Sequence, residues 1–294
     1  MKKILYFIFA AFTGILFMSN TLLAENHELL SPDGKIRVEI NAGDNLEYAV
    51  FYDDMQIIVP SEISMHTEKH GVFGIKPRVK SVSRRSVDQI QIPVVKQKSA
   101  EVREQFNEMK ILFKGNYSLC VRAYNEGVAY RWESTIKDEL IIVSEEANFS
   151  FAKNYISWFP EEESMFSHQE REYLQVPLEE ITYERFSSTP MLVDITDGPK
   201  VLITEADLQD YPGMYIKGDT KEFCLKGKFP RVVVEEEQKN DRDVVPLKRA
   251  DYIALVDGSR SFPWRVIAIA PEDGSLITNQ MIFLLSEPSK IEDP

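Results

Sequence analysis

The stretch "FPEEESMFSHQEREY", residues 159 to 173, places five glutamates and one histidine within fifteen positions. Residues of these types offer three chemistries. Carboxylates are hard oxygen donors, and calcium takes six to eight oxygens, often from distant segments and with a glutamate as a bidentate ligand. Two carboxyls separated by roughly 5 to 9.5 Å across a sugar cleft could hydrolyse a glycosidic bond. A histidine beside a serine or cysteine could activate a nucleophile. Against all three stands an acidic loop in water, and composition alone leaves that alternative open.

The rest of the chain narrows the choice. Its histidines are His27, His66, His70 and His168, and no G-x-S-x-G elbow is present, which disfavours a nucleophilic triad. A hydrolytic carboxyl pair would draw on Glu161 to Glu163, Glu170, Glu172, Glu205 and Asp207, with no spacing rule to select two of them. EF-hand spacing is absent, so any calcium site has to be assembled from separated segments. Cys120 and Cys224 are the only thiols and show no zinc spacing. Two cysteines so far apart make no disulfide framework, and Cys120, inside "YSLCVRAY", reads as a buried thiol. Trp132, Trp158 and Trp264 all fall in or beside strand-like runs, where core packing is the expected role.

The elements that must position these residues are strands. Runs such as "NLEYAVFY", "YSLCVRAY", "VAYRWES", "KVLITEADL", "WRVIAIA" and "MIFLLS" are short, rich in Val, Ile, Tyr and Phe, and mostly bounded by Gly, Asp, Asn or Pro. "RAYNEGVAYRW" places a three-residue polar turn with Gly127 between two alternating runs, a hairpin signal. Helical patterning is scarce. "KSAEVREQFNEMKI" and "MFSHQEREYLQV" have helix-friendly composition without a clean apolar stripe, and read as single turns or irregular excursions. Strands without alternating helices predict an all-β fold, a large two-sheet antiparallel β-sandwich. The charged stretch "EEEQKNDRDVVP", residues 235 to 246, reads as a solvated loop between strands.

The chain begins with two lysines and an apolar run from Ile4 to Met18, shorter than a membrane span needs. This predicts a signal peptide over residues 1–24, cleaved near Ala24, and a periplasmic or secreted mature chain with no membrane association. The formal net charge of −13 argues against nucleic acid and anionic lipid as partners.

In order and spacing, "LLSPDGKIRVEI", "RAYNEGVAYRW", "SWFP" followed by "HQEREY", "ITEADLQDYPGMYI", "FPWRVIAIA" and "LSEPSKIED" resemble the N-terminal region of glycoside hydrolase family 97, periplasmic α-glycosidases. The resemblance implies a β-supersandwich of the galactose-mutarotase type over residues 25–286. It also implies the start of a linker over 287–294, leading to a (β/α)8 catalytic barrel that would begin beyond Pro294. In this family a glutamate of the sandwich, in a Q-E-x-x-Y context after a W-x-P element, helps bind calcium beside the barrel's own glutamates. Trp158, Pro160, Gln169, Glu170 and Tyr173 match that context, so Glu170 is the expected metal ligand, with Glu172 or Glu163 as alternatives if the alignment gaps within "EEESMF". The implied role is a non-catalytic module that contributes to a cleft for α-linked glucosides or galactosides and shares its calcium with the barrel. Two rivals are a free-standing carbohydrate-binding sandwich and an aldose mutarotase using His168 with Glu170.

Overall fold

A computed structural model describes residues 25–95 and 97–291. The expected signal peptide lies outside the described residues. In chain order the strands are β1 (Glu25–Leu30), β2 (Ile36–Ala42), β3 (Leu46–Tyr52), β4 (Met55–Thr67) and the short β5 (Gly71–Phe73). A long hairpin of β6 (Val79–Gln91) and β7 (Val102–Phe113) follows, then β8 (Tyr117–Tyr124), β9 (Gly127–Thr135) and β10 (Leu140–Ser150). Around the acidic stretch lie β11 (Ile156–Phe159), β12 (Glu161–Glu162), β13 (Leu174–Pro177) and β14 (Phe186–Ser187). Next come β15 (Met191–Asp194), β16 (Lys200–Ala206), β17 (Tyr215–Gly218), β18 (Cys224–Lys228) and the pair β19 (Val233–Gln238) and β20 (Val244–Arg249). The chain continues through β21 (Ala254–Val256), β22 (Ser259–Ser261) and β23 (Trp264–Ala270) to helices α1 (Asp273–Thr278) and α2 (Met281–Leu285).

The strands form two large antiparallel sheets, as the strand-rich sequence predicts. One has eleven strands, ordered β1-β2-β3-β4-β10-β18-β17-β14-β12, with β5 beside β4 and β21 beside β10. The other has ten, ordered β13-β11-β15-β16-β23-β9-β8-β7-β6, with β22 beside β9. The main core lies between them and joins Val38, Ile40 and Tyr48 of the first sheet to Leu119, Val121 and Trp132 of the second. Alternation along β8 sends Leu119, Val121 and Ala123 into this core. Cys120 and Tyr124 face the other way, into a second cluster with Trp264, Val266 and Ala268 of β23 and Met281, Leu284 and Leu285 of α2. Both faces of the central strands are therefore covered, and all seven residues of β23 are buried. Each fully buried valine or isoleucine there contributes about 1.5–3 kcal/mol.

Trp132 and Trp264 are core residues as expected, while Trp158 is half-buried. Cys120 and Cys224 are both buried and free. Burial pushes the Cys120 thiol up to about 12, which leaves it protonated and inert.

Three segments depart from the sequence reading. Residues 102–108 form the first part of strand β7 rather than turns, leading into "MKILF", which has strand character in the sequence. The residues that obscure the alternation, Glu104 and Glu108, are themselves buried and partnered. Glu104 accepts Gln89 Nε2 at 2.5 Å and Gln91 Nε2 at 2.6 Å. "MIFLL" is helix α2, not a strand, and its buried Met281, Leu284 and Leu285 follow an i, i+3, i+4 pattern against the sheet. Residues 235–246 are solvated but not a loop: much of the segment pairs as the β19–β20 hairpin, a separate two-stranded sheet. The β8–β9 hairpin is present, with Gly127 already on β9, paired to Tyr124. Gly127 has φ +146°, and a Cβ there would sit 2.3 Å from the Ile267 carbonyl oxygen, so glycine is required by close approach.

Candidate functional site

The acidic stretch sits where the chain changes sheets. Ile156–Phe159 pairs with β13 and β15 in the ten-stranded sheet. After Pro160 the next two residues, β12, pair with β14 at the edge of the eleven-stranded sheet. Proline suits such a switch because it offers no N–H to either ladder. The chain then makes a loop, residues 163–173, and returns as β13, the edge strand of the ten-stranded sheet. The loop thus bridges the edges of both sheets on one side of the sandwich.

Its glutamates have different fates. Glu161 is bound by Arg185 through two contacts of 2.7 and 2.8 Å, which hold its carboxyl below the usual range. Glu162 is 4% exposed and anchors the loop from beneath. Its Oε2 accepts Ser167 Oγ at 2.7 Å and Arg171 Nε at 2.8 Å, while Oε1 is buried without a partner. Glu163, Glu170 and Glu172 are exposed, and among the described residues none of the three has a hydrogen-bond or ion-pair partner.

What distinguishes Glu170 is its neighbours. Gln169 takes the left-handed conformation at φ +58°, and its Nε2 donates to Tyr215 Oη at 2.9 Å. Tyr215 Oη in turn donates to the Met165 carbonyl at 3.2 Å. Three residues after Glu170, Tyr173 Oη donates to the Pro190 carbonyl at 3.1 Å. In the stretch "QEREY", the glutamine and tyrosine tie the loop to the sandwich body, and Glu170 stands between them with its carboxylate free.

The other carboxylates considered from sequence are structural. Glu205 faces inward, accepting Arg265 Nη1 at 2.7 Å and the Met214 N–H at 2.9 Å. Burial pushes its carboxyl up against the opposing effect of Arg265. Arg265, itself 1% exposed, also forms a bidentate pair with Glu145 at 2.7 and 2.8 Å, and Tyr211 Oη donates to the same carboxylate at 2.8 Å. This network ties β23 of one sheet to β10 of the other across the core. No reading of the sequence marked Glu145 or Arg265, and an arginine in the apolar run "WRVIAIA" was the available signal. Asp207 is 3.6 Å from Arg131 and accepts Gln209 Nε2 at 3.0 Å and the Glu287 N–H at 3.3 Å. His168 is exposed and makes no hydrogen bond to Glu170 among the described residues.

A carboxylate presented to solvent on a tethered loop fits one position in the oxygen shell of calcium. It does not make a whole site: among the described residues, no three His, Cys, Asp or Glu side chains converge.

The Glycosyl-hydrolase 97 N-terminal family model matches residues 29–288. The chain is 32% identical over 277 residues to a retaining alpha-galactosidase of Bacteroides thetaiotaomicron, covering 90% of this chain and 42% of that protein. Among solved structures, a glycoside hydrolase family 97 enzyme from Pseudoalteromonas sp. strain K8, in complex with acarbose, aligns at TM-score 0.76 and 21% identity. That alignment covers 91% of this chain and 39% of that one. A beta-arabinopyranosidase aligns at TM-score 0.71 and 18% identity, over 83% of this chain and 40% of that one. At these identities the solved structures speak for the fold alone. The chain spans less than half the length of each of these relatives.

Proposed function

The chain belongs to glycoside hydrolase family 97, whose N-terminal domain it carries, and from that membership we propose that it serves as the non-catalytic sandwich module of an α-glycosidase. In this reading residues 25–286 shape one wall of a cleft for α-linked galactosides or glucosides, and Glu170 completes a calcium site whose other ligands come from a family 97 barrel. Residues 287–294 begin the linker to that barrel. The chain by itself is inactive, and the apolar N-terminus directs it to the periplasm or the exterior.

The observation that carries the reading is the tethered pair Gln169 and Tyr173 around Glu170, which has no partner among the described residues. The two tethers hold the loop on either side of Glu170, so less ordering of the main chain is needed when its carboxylate meets an external cation. Calcium, when bound, supplies positive charge beside the sugar. This chain's own share is to hold the loop through Glu162, orient Glu170 outward and keep its charge free. The α-galactosidase relative supports a galactoside substrate.

The test combines this chain with the separately expressed barrel portion of the alpha-galactosidase relative. The expected result is calcium-dependent hydrolysis of an aryl α-galactoside or α-glucoside, with no activity from this chain alone. Glu170→Gln should weaken the apparent calcium affinity of the pair roughly 10-fold or more, as losses in a metal's coordination environment commonly do. If Glu163→Gln or Glu172→Gln has that effect instead, the ligand is reassigned. If none of the three does, the calcium role is rejected.

A further inference from the structure

One cleft carries a charge opposite to that of the chain. On the outer face of the ten-stranded sheet lies a cleft of about 850 Å³, at the end where β6, β7, β8, β9 and β22 meet. Although the chain is strongly acidic at −13, the cleft is lined by Lys80, Lys110, Lys114 and Arg260 against one carboxylate, Glu133. That carboxylate is already neutralised by Lys110 at 2.5 Å and Arg131 at 3.2 Å. Lys80 and Lys114 make no ion pair among the described residues. Arg260 spends its guanidinium on the backbone carbonyls of Gln209 and Ser261 and keeps its charge.

Strand register gives the cleft its second property. Cross-strand partners place Ser81, Leu112, Ser118, Glu133 and Ser261 in one row over five strands. Ser83 lies opposite Lys110 in the adjacent row. The floor is therefore lined with hydroxyl groups among cations. The one aromatic residue in the lining, Phe113, is 1% exposed, so its ring is committed to the core. A neutral sugar would find no exposed ring to stack on.

We propose that this cleft binds an acidic saccharide, one bearing carboxylate or sulfate groups. Lys80, Lys114 and Arg260 hold the anionic groups, and the exposed Ser81, Ser83 and Ser261 meet the sugar hydroxyls. The anionic half of this inference rests on the cleft alone, and the saccharide half on the proposed glycosidase-module function.

Calorimetry of the full chain at about 50 mM salt, with tetragalacturonate as the probe, tests it. The expected result is saturable binding that weakens as salt rises and falls at least 10-fold in the Lys80→Gln/Lys114→Gln double variant. Both lysines are exposed, so the urea midpoint of that variant should stay at the parent value. Inorganic sulfate, tetraglutamate and the neutral galactoside raffinose should each bind at least 10-fold more weakly. Absence of heat with tetragalacturonate, or full binding by the double variant, overturns the proposal. Equal affinity for sulfate or tetraglutamate overturns its saccharide half. Calcium-dependent activation of the barrel does not involve this cleft, so its persistence when tetragalacturonate fails to bind would condemn the cleft reading and spare the module.

Discussion

Two regions of this molecule use the same acidic side chains to opposite ends. In the core, Glu145 and Glu205 lie against Arg265, with Tyr211 and the Met214 N–H completing their partners. Burial alone would lower the Arg265 pKa, but the two carboxylates outweigh it and drive it up, so the guanidinium stays charged. At the sandwich edge, Glu162 repeats that arrangement in part, while Glu170, eight residues on, has no partner among the described residues. A carboxylate with its lone pairs satisfied internally is a structural element, and an exposed one on a tethered loop is available to a ligand. Partner count, not acidity, separates the two regions.

The comparison can be broken most directly at Arg265. Arg265→Met strands the buried Glu145 and the half-buried Glu205 and should destabilise the fold by about 3–5 kcal/mol, read from urea unfolding. A loss under about 1 kcal/mol would mean the core network is not structural. Glu108 stands between the two extremes. Burial raises its pKa, but hydrogen bonds and charge from Arg85 and Arg122 prevail and set it at about 2, against an ordinary 4.5. A carboxyl whose pKa is depressed on folding stabilises above its unfolded pKa and loses that contribution as pH falls through the folded one. Stability should therefore drop between about pH 4.5 and pH 2. The loss should be on the order of 2 kcal/mol, reduced from the full shift because Arg85 is 57% exposed. Glu108→Gln should remove that part of the acid sensitivity, and unchanged acid unfolding in the variant would refute it.

Smaller effects sharpen the edge region. Glu162→Gln should cost about 1–2 kcal/mol and raise amide exchange across residues 163–173 while leaving β8 and β23 protected. Uniform exchange across the sandwich would show that Glu162 does not hold this loop in particular. Glu170→Gln should change the unfolding free energy by less than about 0.5 kcal/mol. A larger destabilisation would place Glu170 among the structural carboxylates and remove the basis for its ligand role.

The fold was legible where chemistry is local. Alternation in "YSLCVRAY" marked β8, and the turn before Gly127 marked its hairpin with β9. Residues 102–108 escaped because Glu104 and Glu108 occupy positions of a buried face, and their partners are Gln89, Gln91, Arg85 and Arg122. "MIFLL" escaped because a run of five apolar residues fits both periods, and only the sheet it packs on chose the helix. At the site, "QEREY" was readable as a motif, but the tethering of Gln169 by Tyr215 was not.

By itself, then, the sequence determined the all-β class, most strand positions and the family signature around Glu170. Those features depend on neighbours within a few residues, whose periodicity and turn chemistry are written along the chain. Tertiary structure alone decided which carboxylates are satisfied and where cations gather. Arg265 meets Glu145 across 120 positions of sequence and Glu205 across 60, and the cationic cleft draws on residues from Lys80 to Ser261. Electrostatic partnership depends on distance in space, and only the folded sheets bring such charges within reach of one another.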